Sequence, residues 1–266
     1  MKKAVISIPV HEEPNVVENH LSNIKKFTNN VAVVLHASAH SGIEFYNQIK
    51  NLTENKFKDF AFLNNNSFDT YAPGQNANVT GLSTVHCSNF KYIDSIIEFD
   101  YFALETSNDM FVRRGVENLW EHYECGCNTS QHNTSACRND AERNIINKIS
   151  NLINLNTIEI HGPEGTFYPK EVFKEVSNIV IDKIGGFFGD EEIVLHTLAF
   201  NIDNTLYNKN CNSSYIYHDY RDAATKEIDI LSVRNGDKNN KYAVKRVPRK
   251  INDHCRNFIA ELTKND

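Results

Sequence analysis

Hydrophobic positions in the first part of the chain alternate between short continuous apolar runs and stretches of helical spacing. Continuous apolar runs occupy 4–10, 31–36, 60–63 and 101–104. Between them, apolar residues recur every three or four positions, which predicts helices beginning at Pro14, near Ile43 and at Leu82, with a loop at 71–80. Runs without alternation are typical of strands buried on both faces of a parallel sheet. Residues 1–115 therefore predict a β-α-β-α-β-loop-α-β order.

The second half of the chain shows the same kinds of pattern. A polar, cysteine-bearing stretch at 121–139 predicts an excursion or lid. Helical spacing predicts helices at 141–153, from Pro169 to Val180, from Asp190 to Phe200 and at 251–262, whereas 158–160 and 228–233 are interpreted as strands. No boundary divides the chain convincingly. We expect one α/β domain over 1–266, with a mostly parallel central sheet flanked by helices.

Polar residues follow where the predicted strands end. The run Glu105, Thr106, Ser107, Asn108 and Asp109 comes directly after the strand at 101–104, and His11 and Glu12 follow the first strand. Ligands of open α/β sheets collect at the carboxyl ends of parallel strands. Two carboxylates, two hydroxyls and an amide suit a polyhydroxylated ligand or a divalent cation that bridges phosphates. A solvated turn would have a similar composition.

Familiar phosphate-binding motifs are absent from the sequence. No Gly-x-Gly-x-x-Gly follows the first strand, and no Gly-Lys-Ser/Thr sequence occurs in the chain. Dinucleotide-dependent oxidoreductases and P-loop enzymes are therefore disfavoured.

The charge balance argues against nucleic acid as a partner, because 28 basic and 34 acidic residues give a net charge of −6. No apolar run approaches the roughly 18 residues of a membrane span. Met1, Lys2 and Lys3 lead directly into the first strand, too short a prefix for a signal peptide. We expect a soluble, cytoplasmic protein, and attachment at a membrane surface is left open.

Six cysteines are present, and Cys125, Cys127 and Cys137 lie close together in sequence. With His122 or His132 they would offer zinc ligands, although the spacing is not that of common two-knuckle sites. A loop with free thiols is the simpler interpretation, and a zinc-dependent hydrolase is kept as an alternative.

Four segments make the chain resemble a nucleotide-sugar glycosyltransferase of the GT-A type. They are His11–Pro14, Ser107–Val112, Glu164–Pro169 and Glu191–Thr197. More narrowly, the chain is similar to small bacterial or viral glycan-building enzymes distantly related to the mucin-core (core-2/I) branching N-acetylglucosaminyltransferases. The resemblance implies inverting transfer of a sugar from a nucleotide-sugar donor to a hydroxyl of an oligosaccharide or glycolipid acceptor. It also implies that 1–115 binds the donor and that 140–266 carries acceptor binding and catalysis. A non-catalytic glycan- or nucleotide-binding protein is the alternative.

The resemblance also implies a catalytic base. In the branching enzymes an acidic pair opens a helix, with a threonine five places after the second acid, which is the base. Glu192 and Thr197 match that spacing, so Glu192 is the first choice and Glu191 the second. Acidic residues at a helix start are also favoured simply by the helix dipole.

Donor and acceptor residues follow from the same resemblance. Many GT-A enzymes hold manganese or magnesium on an Asp-x-Asp motif, but Glu105-Thr106-Ser107 stands there, so no metal is assigned. The branching enzymes use basic residues near the C-terminus instead, where this chain has Lys245, Arg246 and Arg249. A solvated basic strand edge is the other interpretation of that run. His11, Glu12, Glu105, Ser107, Asn108 and Asp109 complete the expected donor site, and Glu164, Thr166 and Tyr168 are the expected acceptor contacts.

Overall fold

The structure is a computed structural model that describes residues 2–68, 81–129, 131–132, 137, 140–186, 191–219, 223–262 and 264. The predicted loop at 71–80 and the predicted helix start at Asp190 lie outside the described residues, as does the side chain of Glu191.

Strands and helices alternate through the first half of the chain. The strands are β1 (Ala4–Val10), β2 (Val31–Ala37), β3 (Ala61–Leu63), β4 (Tyr101–Leu104), β5 (Met110–Phe111), β6 (Gln131–His132), β7 (Ile158–Glu159), β8 (Thr166–Pro169), β9 (Ile216–Tyr217) and β10 (Ala243–Val244). The α-helices are α1 (Pro14–Phe27), α2 (Gly42–Asn51), α3 (Leu82–Asp94), α4 (Glu117–His122), α5 (Asp140–Ser150), α6 (Lys170–Ser177), α7 (Glu191–Ile202), α8 (Leu206–Lys209), α9 (Glu227–Arg234) and α10 (His254–Leu262). Within the described residues, no helix combines the length and apolarity needed to cross a bilayer.

The central sheet has the strand order β3-β2-β1-β4-β8. β1 pairs in parallel with β2 and with β4, and β2 pairs in parallel with β3, which confirms the predicted mostly parallel sheet. β8 runs antiparallel to β4. Because β2 and β3 lie on one side of β1 and β4 on the other, the strand order reverses between β1 and β4. Such a reversal opens a crevice at the carboxyl ends of the two strands.

Both faces of this sheet are covered, as the continuous apolar runs predict. Alternate residues of β1 enter two separate clusters of buried side chains, Val5 on one face and Ile6 on the other. Phe90 of α3 and Phe173 of α6 cover the first face, whereas Leu21 of α1 covers the second. The helices thus hold the sheet rigidly and leave its carboxyl edge free for side chains that carry chemistry.

The prediction of a strand over 228–233 is wrong, because this segment lies in helix α9. Ile230 and Val233, three positions apart, are buried, whereas Ile228 is 72% exposed. The Lys226 amide donates to the Asp229 carboxylate at 3.2 Å and so stabilises the first turn of the helix. The buried positions are three residues apart, which is the spacing of a helix and not of a strand.

Pro169 marks the start of a helix, as predicted, because it is the N-cap of α6. Pro169 ends strand β8, and α6 begins at Lys170. Tyr168 pairs with Phe102 and Pro169 with Tyr101, so β8 extends the sheet beyond β4. Proline is tolerated there because an edge position need not donate a hydrogen bond to the ladder.

Candidate functional site

The ends of β1 and β4 are held side by side. Ser7 of β1 is in register with Leu104 of β4, and the amide of Glu105 donates to the Ser7 carbonyl at 3.0 Å. The residues after both strands therefore converge, and the Ser107 hydroxyl donates a hydrogen bond to the carboxylate of Glu12. This contact bridges the crevice at which the strand order reverses.

Arg249 completes this bridge from the far end of the chain. Its Nε lies 2.5 Å from Glu12 Oε1, and His11 Nε2 lies 3.4 Å from the same oxygen. Burial raises the pKa of Glu12, but His11, the Ser107 hydroxyl and Arg249 together bring it below its ordinary value. Glu12 is therefore an anionic anchor for the guanidinium, whose side chain is still 44% exposed.

Glu105 and Asp109 have the opposite electrostatic character. Both are buried, and burial raises the pKa of Glu105 to about 8 and that of Asp109 to about 7. Tyr215 donates its hydroxyl to Glu105 Oε1 at 2.6 Å. His20 Nε2 lies 3.6 Å from Glu105 Oε2, but burial lowers the pKa of His20 to about 4, so this contact is not an ion pair at neutral pH.

The basic segment after β10 is fastened to the loop after β4. The Val247 amide donates to the Asn108 carbonyl at 2.9 Å. Lys245 forms an ion pair with Glu164 and lies close enough to Asp109 to oppose the rise in its pKa. The predicted cations Lys245 and Arg249 are thus brought to the predicted carboxylates.

Arg246 lies beside Lys245 near His218. Its φ of 65° places it in the left-handed region. Burial and then the charges of Arg246 and Lys245 lower the pKa of His218, and the three residues line one small pocket. Lys245 and Arg246 are thus close to the same histidine, whereas Arg249 pairs with Glu12.

A cavity of about 180 Å³ opens beside the Lys245–Glu164 pair. The residues that line it are Asn128, Gly162, Glu164, Ser214, Ile216, Tyr217, His218, Lys241 and Lys245. Because β8 is antiparallel to β4, the turn that precedes β8 lies at the same edge as the carboxyl end of β4. This turn supplies Glu164 and Gly162 to the cavity.

Glu192 is connected to this cavity through the segment that precedes β8. The amide of His161 donates to the Glu192 carbonyl at 2.8 Å, and the next residue, Gly162, lines the cavity. The charge of Glu192 also acts on His161, whose pKa burial lowers to about 4. Thr197 has a structural role, because its hydroxyl accepts a hydrogen bond from the Glu159 amide at 3.0 Å and so ties α7 to β7.

Of the three expected acceptor contacts, Glu164 lines the cavity, whereas Thr166 and Tyr168 are fully buried. The Thr166 hydroxyl donates to the Pro163 carbonyl at 2.6 Å. The Tyr168 hydroxyl is hydrogen-bonded to His196 Nδ1. In this conformation neither side chain is available to a ligand.

The side chains at the candidate site are not arranged as metal ligands in the described part of the chain. Within the described part of the chain, no three or more His, Cys, Asp or Glu side chains are grouped so that they could hold an ion. Cys125, Cys127 and Cys137 are buried free thiols. Burial acts to raise the pKa of both Cys125 and Cys127. The hydrogen bond between them raises the pKa of Cys125 further, whereas it acts against burial at Cys127, whose pKa is lowered. We therefore assign no step to manganese, magnesium or zinc.

Sequence reasoning did not single out His20, Tyr215 and Lys241. His20 lies on the buried face of α1 beside Val17 and Leu21, and a polar residue within an apolar stripe was the available signal. Tyr215 and Lys241 meet the site only through the second sheet, of order β5-β10-β9, in which β10 pairs with both other strands.

Comparisons with known proteins give distant structural similarities only. No protein-family model matches the sequence, and no curated protein matches it. The mannosyltransferase PcManGT from Pyrobaculum calidifontis, solved with GDP-Man and Mn²⁺, is 12% identical with a TM-score of 0.42 over 74% of this chain and 50% of that chain. The galactosyltransferase LgtC, solved with donor and acceptor sugar analogues, is 10% identical with a TM-score of 0.48 over 97% of this chain and 94% of that chain.

A third similar structure is the glycosyltransferase GlyE of Streptococcus pneumoniae TIGR4. It is 10% identical with a TM-score of 0.46, over 100% of this chain and 61% of that chain. The present chain thus spans half the length of PcManGT and less than two thirds of GlyE. Similarity at this level carries no conclusion about activity.

Proposed function

We propose that this protein is a glycosyltransferase that moves a sugar from a nucleotide-sugar donor to a hydroxyl of an oligosaccharide or glycolipid acceptor, with inversion at the anomeric carbon. One observation carries the proposal. Two cations from the end of the chain each pair with a carboxylate at this edge of the sheet. Arg249 pairs with Glu12 at the crevice between the ends of β1 and β4, and Lys245 pairs with Glu164 in the turn before β8. A nucleoside diphosphate needs positive charge for its phosphates and hydrogen-bond acceptors for its ribose hydroxyls, and both are present there.

The reaction needs balanced movement of one proton and one leaving group. The acceptor oxygen forms a bond to the anomeric carbon while the bond from that carbon to the diphosphate oxygen breaks. The acceptor proton passes to a carboxylate, and the departing electron pair stays on the phosphate. Fixed cations stabilise that developing charge, which is often the largest catalytic contribution in such reactions.

Glu192 is the base that we propose. The first turn of α7 contacts His161, and the following residues to Glu164 form the cavity wall next to Lys245. Glu192 therefore contacts one end of the segment 161–164, and Lys245 contacts the other end. This arrangement suits a base and a cation that stabilises the leaving group. A positioned carboxylate base contributes on the order of a hundredfold in rate.

The donor is proposed to lie against the residues after β1 and β4. Glu12 has a lowered pKa and is bonded to Ser107 and Arg249, so it holds the exposed guanidinium of Arg249 in place at the proposed donor site. His11 and Asn108, the sequence neighbours of Glu12 and Ser107, belong to the same proposed donor site. The division into a donor half, 1–115, and an acceptor and catalytic half, 140–266, is part of the same proposal.

A thermal-shift screen against UDP-, GDP-, dTDP- and CMP-sugars, with and without manganese, tests donor binding. A ligand at about 100 times its dissociation constant should raise the stability by about 2.7 kcal/mol. The donor that is found is then assayed for hydrolysis and for transfer to glycan acceptors. Stabilisation by no nucleotide sugar would overturn the proposal, and binding without turnover would indicate the non-catalytic alternative.

Arg249→Met tests the carrying observation, with Lys250→Met as the matched control. Lys250 is the adjacent, exposed cation and forms no ion pair with a described residue. Loss of the guanidinium should weaken donor binding by about tenfold or more, as expected for a charge-assisted contact, whereas the control should leave it unchanged. Equal affinities in the two variants would remove Arg249 from the donor site.

A further inference from the structure

Lys241 is a half-buried cation without a carboxylate partner in the described part of the chain. Its Nζ donates to the Ser214 carbonyl at 2.6 Å and to the Ser214 hydroxyl at 3.3 Å. Both acceptors are neutral. Neutral acceptors leave the positive charge of the ammonium without a counter-charge, so an anion placed beside it would gain a favourable electrostatic contact.

The surroundings of Lys241 favour an anion. The cavity that it lines, of about 180 Å³, also contains Lys245 and His218, with Glu164 as its carboxylate. Since Glu164 is paired with Lys245, the charge of Lys241 is left uncompensated among the lining residues. Ser214 orients the ammonium, and its own carbonyl and hydroxyl leave a donor position of the ammonium open.

We propose that Lys241 and this cavity form an oxyanion-binding site that takes a phosphate or carboxylate group of a substrate. The nature of the substrate rests on the proposed function. Two sources share this chemistry, namely the diphosphate of the donor and an acidic group on the acceptor glycan. Compact ammonium groups bind either one as a point charge.

The pH dependence of Lys241 offers a specific signature. Burial lowers its pKa to about 8, and nearby Cys211 acts in the opposite direction. The other groups at the cavity are Glu164, Lys245 and His218, and burial lowers the pKa of His218, which leaves that imidazole neutral at alkaline pH. Anion affinity should therefore fall as the pH rises through about 8 to 9.5, as Lys241 loses its proton.

Isothermal titration of the full chain with inorganic pyrophosphate and, separately, with glucuronate tests the site. At pH 7.5, Lys241→Met should weaken one of these ligands by about tenfold or more. The control is Lys250→Met, because Lys250 is exposed and does not line the cavity. Loss of pyrophosphate binding assigns the site to the donor, and loss of glucuronate binding assigns it to an acidic acceptor. Unchanged affinity for both, or no binding of either to the native chain, would overturn the inference.

Lys241→Arg keeps the test decisive if the methionine variant does not fold. Arginine remains charged at pH 9.5, so this variant should retain anion binding at a pH where the native chain has lost it. Parallel loss in both proteins would contradict a role for Lys241. The assay needs no sugar transfer. If pyrophosphate binding depends on Lys241 but no nucleotide sugar binds, the anion site is supported and the proposed function is rejected. If sugar transfer occurs and Lys241→Met does not change it, the proposed function is supported and the anion site is rejected.

Discussion

Two carboxyl groups at the carboxyl edge of the sheet, those of Glu12 and Glu105, have pKa values shifted in opposite directions. Hydrogen bonds and cations keep the pKa of Glu12 low, whereas burial raises the pKa of Glu105 to about 8. Glu12 is therefore held as an anion, whereas burial shifts Glu105 towards its protonated form. Sites that separate the pKa values of neighbouring carboxyl groups in this way can bind a cation and present a donor side by side.

Glu105→Gln should make the stability less sensitive to pH. A carboxyl group with a raised pKa in the folded state binds its proton more tightly there than when unfolded. It therefore stabilises most below its unfolded pKa and loses that contribution as the pH rises to about 8. Thermal melts from pH 5 to 9 should show a smaller decline in Tm for the variant than for the native chain. Asp140→Asn, at an exposed carboxylate, is the control and should leave the decline unchanged.

Glu192→Gln should abolish turnover and preserve donor affinity. The amide keeps the shape of the side chain but cannot accept the acceptor proton, so kcat should fall by about a hundredfold or more. Donor titration and single-turnover transfer assays measure the two quantities separately. Glu175→Gln, on the outer part of α6, is a control of the same chemistry. A variant with native turnover would exclude Glu192 as the base.

At the scale of the element, the turn that precedes β8 is constrained by one residue. Gly165 has a φ of +72°, and a Cβ at this position would lie 2.7 Å from the backbone nitrogen of Ile216 in β9. Its amide donates to the Leu104 carbonyl at 2.7 Å, and its carbonyl accepts from the Tyr215 amide at 2.8 Å. The two sheets therefore meet through a residue that has no room for a side chain.

Gly165→Ala should destabilise the protein more than Gly42→Ala does. Gly42 also has a positive φ, of +83°, but no atom lies within 4 Å of the point that a Cβ would occupy there. Both variants should lose roughly 1–3 kcal/mol because each position has a positive φ that alanine rarely adopts. Gly165→Ala should lose a further 1–3 kcal/mol, roughly, from overpacking against Ile216. Urea denaturation measures both, and equal losses would show that the contact with β9 can relax.

The strands that were predicted from the sequence are those that can be recognised from their own residues alone. β1, β2 and β4 are continuous apolar runs because both faces of the sheet are covered, and such runs can be recognised without knowing the partners. β8 was missed because four residues after a Gly-Pro-Glu-Gly turn contain too little periodicity to separate strand from turn. Residues 228–233 fit two periods, and only contact with α10 and β10 selects the helix.

The candidate site divides in the same way. Glu12, Ser107 and Arg249 were predicted because polar residues at strand ends and a basic run in an acidic chain stand out. Lys241 could not be predicted, since its burial depends on Ser214, 27 residues away in the chain. Tyr168 was expected to contact the acceptor and is fully buried in the structure, because an aromatic side chain suits a sugar or a core equally well until its neighbours are known.

At the scale of the whole molecule, the two covered faces make the central sheet the rigid part of the protein. Phe102 of β4 is fully buried and lies against Phe173, with ring centroids 4.6 Å apart, and against Phe90 at 5.2 Å. These rings join β4 to helices α3 and α6 directly beneath the site. Site geometry should therefore depend on global folding rather than on local loop order.

Phe102→Ala should lower the free energy of unfolding by about 3–5 kcal/mol. The cost combines the lost burial of the ring with the cavity left among its aromatic neighbours. Urea denaturation measures the loss, with Tyr123→Ala as the control because Tyr123 is 37% exposed. A change below about 1 kcal/mol would mean that the surrounding rings collapse into the vacated space.

The reversed direction of β8 has a consequence for how this scaffold could diversify. The parallel strands end at the carboxyl edge of the sheet, whereas the antiparallel strand β8 begins there. The segment that precedes β8 can therefore be lengthened or exchanged while the hydrogen bonds between β8 and β4 stay intact. Relatives that accept different molecules would then be expected to differ most at 160–164, and grafting that short stretch between them, with Gly165 kept, should transfer selectivity with little loss of folding stability.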